Sequence, residues 1–309
     1  MKLKTALFIS LKTIALTVSL FICFAVAGGV VGQQDSTSQT PEQAGTVLIA
    51  LLTVCFLNTV VLAHIILRSR WAGWRLIATL FFVFYGVMTF MSQIESAVFV
   101  TRLPSGMLPR LFLMGILIAA PFSPLAVIIL GKRKADTATS GEQNTRLVMS
   151  KNEWVWKLAV IAIAYLVLYF TFGYFIAWKN PAVLEYYGGV DEGNFFAHMN
   201  TVLASTLWLV PFQILRAMLW VLLALPVIRM MKGRWQEIAV AVGLLFAVLM
   251  NAQLLLPNPF MPEAVRMTHL IETASSNFIF GCLIVWLLHR HHSSLSDLFR
   301  AGLTPQAKG

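Results

Sequence analysis

Apolar residues recur in stretches of about 20 or more, the length a helix needs to cross ~30 Å of hydrocarbon at 1.5 Å per residue. Eight such stretches lie between Ala6 and His292, at 6–31, 45–67, 74–99, 108–131, 155–178, 201–230, 236–257 and 266–289. In lipid every backbone N–H and C=O must find its partner inside the protein, so runs of this length predict helices. The expected fold is all-α, a polytopic integral membrane bundle of eight transmembrane helices. Composition sharpens this picture. The chain is 58% hydrophobic and only 12% charged, whereas soluble domains carry about 25% charged residues. A soluble fold is excluded, and no segment outside the spans is long enough for a separate catalytic domain.

The net charge of +10 could suggest nucleic acid, but the positions of the basic residues exclude that partner. One alternating set of connections holds eighteen of the 23 Lys and Arg, including Lys2, Lys12, Arg68, Arg75, Lys132, Arg146, Arg234 and Arg290. The other set holds only Arg102, Arg110, Lys179 and Arg266, and Arg216 falls inside a span. Basic loops stay in the cytoplasm and meet anionic headgroups, so both termini are expected there, in a bacterial inner membrane. Trp71, Trp74, Trp154, Trp156, Trp178 and Trp235 fall near the expected interfaces, which suit an amphipathic indole. Cys23, Cys55 and Cys282 lie in apolar runs without a CxxC pair and read as small core residues. The small-x-small triplet Ala25-Val26-Ala27 has the form of a signal-peptidase site. The apolar run continues through Val31, however, which favours an uncleaved first helix.

The longest internal polar stretch, Gly131–Asn152, divides the spans four and four. The expected organisation is a first half at 1–131, a flexible linker at 132–152, a second half at 153–292 and a tail at 293–309. Spans two and six end in similar basic-Trp hairpins, Arg68-Ser69-Arg70-Trp71 and Lys232-Gly233-Arg234-Trp235. That similarity suggests an internal repeat. An even number of spans per half would make it a parallel one, about an axis along the membrane normal.

No HExxH, GxSxG or GxxxxGK[ST] motif is present, and no cofactor is indicated. Candidate chemistry comes from polar residues where lipid makes them costly. Span three carries Gln93 and Glu95 toward its outer end. Span eight carries His269, Glu272 and Ser276 at i, i+3 and i+7, on one face. His269 and Glu272 could share a metal with His198, but two ligands on one helix are a weak signal. Arg216, read as central in a span of 201–230, should face the interior and be paired. Pro211 in the same span, and Pro121 with Pro124 in span four, suggest freed carbonyls and an interrupted helix. The terminal His289-Arg290-His291-His292 is expected to track headgroups.

These features predict a transporter or permease-like protein. Its polar cavity, built from Arg216, Glu272, His269, Glu95, Gln93 and Ser276, would take a small polar or anionic solute. The alternatives are a membrane-embedded enzyme with an outward-facing His/Glu site, or an assembly scaffold. A carrier predicts polar residues at several depths, and an enzyme predicts convergence at one depth.

Overall fold

The computed structural model describes residues 2–32, 41–100, 103–134, 146–190, 192–292 and 295–298. Arg102, the middle of the linker and the end of the tail lie outside the described residues. Among the described residues the chain folds as an all-α bundle, and eight helices are long and apolar enough to span a membrane. The spans are Leu7–Val31, Pro41–Leu67, Gly73–Phe99, Met107–Ile129, Lys151–Ala177, Leu209–Met230, Trp235–Leu255 and Glu263–Leu288. By element these are α1 (Lys2–Val31), α2 (Pro41–Leu67), α3 (Gly73–Tyr85) with α4 (Met91–Phe99), α5 (Met107–Ile129), α6 (Lys151–Phe172), α9 (Leu209–Met230), α10 (Trp235–Asn251) and α11 (Glu263–Leu288). Two short helices, α7 (Pro181–Tyr187) and α8 (Phe195–Ser205), lie between α6 and α9. Because the spans alternate in direction, the basic connections gather at one end of the bundle, and α7 and α8 lie at the opposite, far end.

In the first half α1 packs on α2 and α5, and α3 packs on α5; in the second, α6 packs on α9 and α11, and α10 packs on α11. Across the halves α2 meets α10 and α3 meets α9. The two basic hairpins pair directly. Lys232 donates its backbone N–H to the Arg68 carbonyl and Arg70 donates to Met230, each at 2.7 Å, forming an antiparallel bridge between Ser69 and Met231. Arg68 also forks onto Glu237 of α10 through Nε and Nη2, at 2.5 and 2.7 Å. The tightest seam is α10 against α11, where a Cβ on Gly281 would sit 2.8 Å from the Gly243 backbone. Without a hydrophobic force between helices in lipid, such close backbone approach is how packing gains contact.

Four expectations are corrected here. The sixth span begins at Leu209, not 201, because Thr206–Trp208 separates α8 from α9. Pro211 therefore sits in the first turn of α9, where a missing N–H breaks no ladder. Arg216 lies seven residues into α9, about 10 Å from its start and in the far half rather than the middle. Finally, α5 runs unbroken through Pro121 and Pro124, and the Ser123 hydroxyl donates to the Ala119 carbonyl at 2.7 Å. The irregular backbone appears elsewhere: π-helical turns at Gly86–Phe90 and Gly173–Ala177, and a 3-10 turn at Ala252–Leu255.

The basic end is fastened more firmly than its polarity suggested. Arg146, in the described edge of the linker, donates to the carbonyls of Met231 and Gly233, and its own carbonyl accepts from Arg229. That edge is docked on the second hairpin rather than free. The turn after α11 folds back likewise. Glu153 and Lys157 of α6 are 3% and 0% exposed and pair at 2.7 Å. Lys157 donates to the Arg290 carbonyl at 2.8 Å, His292 donates its backbone N–H to Glu153 at 2.7 Å, and the His291 ring meets the same carboxylate. His291 and His292 thus close onto a buried ion pair.

Candidate functional site

A cavity of about 440 Å³ opens toward the far end of the bundle, walled by α4 of the first half and by α6, α7, α8, α9, α10 and α11 of the second. Its walls are chiefly apolar and include the rings of Phe99, Tyr165, Tyr169, Tyr174 and Trp178. Below it the chain is densely apolar. Trp220, one turn beyond Arg216, packs on Phe246 at 4.2 Å between ring centroids, and Tyr165 packs on Phe280 at 4.7 Å. Trp220, Phe246 and Phe280 are fully buried.

Two ion pairs meet at the cavity. Arg216 projects from α9 and is 3% exposed; its Nη2 donates to Glu95 Oε2 at 2.9 Å and its Nη1 to Gln213 Oε1 at 3.0 Å. The shortened α9 makes this contact possible, since it lowers no charge to mid-membrane and brings Arg216 within reach of Glu95 in the middle of α4. Gln213 stands one turn before Arg216 on the same face and holds the second arm of the guanidinium.

The second pair lies on α11. His269 Nδ1 is 2.7 Å from Glu272 Oε2, and His269 Nε2 is 3.2 Å from the Tyr187 hydroxyl of α7. A carboxylate only accepts, so Nδ1 donates to Glu272; Nε2 accepts from the Tyr187 hydroxyl when the ring is neutral and donates to it when the ring is protonated. The result is a carboxylate–imidazole–hydroxyl chain along the cavity wall. Burial pushes the Tyr187 phenol above its ordinary pKa, so it stays a neutral donor at physiological pH. The π-helical turn borders this chain: a Cβ on Gly173 would lie 3.5 Å from Glu272 Oε1, an ordinary van der Waals contact. Inserted residues of this kind are frequent at functional sites. The 3-10 turn after α10 contributes too. Asn251 accepts from Thr273 at 2.5 Å, and Gln253 donates to the Met88 carbonyl in the other π-helical turn at 2.6 Å.

The structure brings Arg216, Glu95, His269, Glu272 and Ser276 to one cavity. Gln93 is not among the residues lining it, and its Oε1 is buried with no hydrogen-bond partner among the described residues. His198 lines the cavity but stacks near Trp178 and Tyr174, at 5.2 and 5.4 Å between centroids. Among the described residues no three His, Cys, Asp or Glu side chains are placed to hold a metal ion. Both ring nitrogens of His269 are also engaged, so the His198–His269–Glu272 grouping considered from sequence is not assembled. Tyr187, Gln213, Asn251 and Thr273 were not foreseen as site residues. Gln213 had a signal, its i−3 spacing from Arg216. Tyr187 had none, because it reaches the site from a short helix outside the spans.

These features define an integral, multi-pass membrane protein with a polar pocket inside its far half. Comparison with protein-family models, curated proteins and solved structures finds no match, so the functional argument rests on this geometry.

Proposed function

We propose that this protein is a membrane-embedded enzyme that acts on a small amphipathic molecule in the far-half cavity. The observation that carries the reading is the convergence of Glu272, His269, Tyr187, Glu95 and Arg216 in one cavity above an apolar floor. A group X–H of the substrate that replaces Tyr187 at His269 Nε2 would pass its proton to the imidazole as X bonds to an electrophilic centre. Glu272 would balance the imidazolium, which would then give that proton to the group departing from the same centre. The Arg216 charge is already matched by Glu95, which supports a neutral or zwitterionic head rather than an anionic one. The cavity's size lies within the ~300–1,000 Å³ of small-molecule sites.

A permease-like role is the second reading. It is favoured by the interrupted helices at cavity level, since irregular backbone at membrane depth often lines a solute site in carriers. One experiment separates the two. Amphiphile profiles are measured in cells carrying the parent protein, His269→Gln, or neither. The enzyme reading expects the total amount of some amphiphile to change with the parent alone, the variant losing at least ~100-fold in rate, the usual scale for a lost general base. A shift between the two sides of the membrane at constant total would support the carrier. No difference of either kind would remove both.

We infer further that the basic end faces the cytoplasm of a bacterial cell, which turns the cavity outward. Reporter fusions after Gly189 and after His292 should then give external and internal signals, and the reverse pattern would invert the orientation. The paired hairpins and the matching helix neighbours in each half support reading the chain as two repeats of four spans.

A further inference from the structure

We propose that the substrate is a membrane lipid of the far-end leaflet, admitted sideways under α8 with its tail left in the bilayer. This rests on the cavity being a substrate site, and deepens that reading by naming the substrate class. The first support is α8 itself. At 100° per residue its eleven positions divide into three faces. His198, Met199 and Val202 line the cavity. Phe196 and Leu203 form a second face with Leu207 just beyond the helix, and Phe196 and Leu207 are 81% and 80% exposed. Thr201 and Ser205 form a third, polar face, and the Thr201 hydroxyl donates to Glu192 at 2.6 Å. A helix with one polar and one apolar exposed face lies in the plane of a membrane interface. Here such a helix roofs a pocket.

The second support is a set of ring contacts beside α8, in which Phe99 lines the cavity itself. Phe99 of α4 meets Trp208 at 6.2 Å and Phe212 at 6.1 Å, and Phe195 stacks on Phe175 at 5.7 Å. Trp208 sits in the short break before α9 and is half-exposed. Side-chain rotations are far faster than the separation of packed helices, so a ring gate can open while the bundle stays intact. The third support is the distribution of chemistry inside. The Arg216–Glu95 and Glu272–His269 pairs offer contacts for a polar head, while Phe99, Tyr169 and Met199 offer apolar wall for the start of a chain. A water-soluble solute would need no apolar exit into lipid.

The test uses the full chain in nanodiscs doped with a phospholipid bearing a photoactivatable group in its acyl chain. Crosslinked positions are mapped by mass spectrometry. Label is expected on Met199, Val202 or Tyr169 inside the cavity, besides the exposed Phe196 and Leu207. Trp208→Ala, checked for an unchanged elution profile, should raise cavity labelling several-fold. Cavity residues left unlabelled while Phe196 and Leu207 saturate would overturn lipid entry, as would a Trp208→Ala variant that folds but labels no more than the parent. The two readings fail separately. Cavity labelling with amphiphile profiles that His269→Gln leaves unchanged would keep lipid entry and sink the enzyme reading. An unlabelled cavity with turnover of a water-soluble compound would do the reverse.

Discussion

Lys157→Ala should lower stability by about 3–5 kcal/mol, the usual cost of removing one partner from a buried ion pair. Lys157 and Glu153 are almost wholly buried, so the orphaned carboxylate could not recover its hydration. The same change frees the Arg290 carbonyl and loosens the turn that fastens α11 to α6. Denaturant or thermal unfolding in detergent measures the loss, and the pair Lys157→Met with Glu153→Gln should recover most of it. A single Lys157→Ala variant as stable as the parent would show that the latch contributes nothing. Acid should weaken the same latch. Burial, with Lys157 and Arg290 nearby, pulls the His292 imidazole down to about 4. A histidine whose folded pKa is depressed contributes stability above its unfolded pKa of about 6.5 and loses it as pH falls toward 4. The parent should therefore lose more stability between pH 7 and 5 than a His292→Asn variant, and equal losses would exclude His292 as the cause.

Arg216→Met should remove most activity, with a stability loss of about 1–3 kcal/mol from the polar groups left unpaired. The loss is smaller than at Lys157 because Glu95 is partly exposed to the cavity and can be hydrated there. Glu95→Gln should cost more, about 3–5 kcal/mol, because it leaves the almost fully buried Arg216 guanidinium without a counter-charge. Amphiphile turnover and thermal unfolding are the two readouts. An Arg216→Met protein that is both stable and fully active would take Arg216 out of the site and leave only the His269 relay.

The existence of the spans was readable because the period and length of apolar runs are local quantities, set by the thickness of hydrocarbon. The start of span six was not. Phe195–Ser205 is apolar enough to extend the run, and only its amphipathic placement across the far end separates it from α9. That single misplacement put Arg216 a third of a span too deep and hid its partner. The prolines of α5 misled for a related reason: a freed carbonyl in a packed bundle need not break a helix. The i, i+3 spacing of His269 and Glu272 correctly put both on one face, because helical periodicity is independent of neighbours.

What the sequence determined by itself is the class of fold: eight apolar spans, their alternation, and the separation of a basic end from a far end. These follow from the solvent, since lipid penalises unsatisfied backbone and unpaired charge wherever they fall. Only the tertiary structure decided which polar residues meet. Glu95 and Arg216 are 121 residues apart, and Tyr187 and His269 are 82 apart. Whether such groups touch depends on which helices become neighbours and on where a π-helical turn resets a face. Those are outcomes of packing the whole bundle, and no local stretch of the chain encodes them.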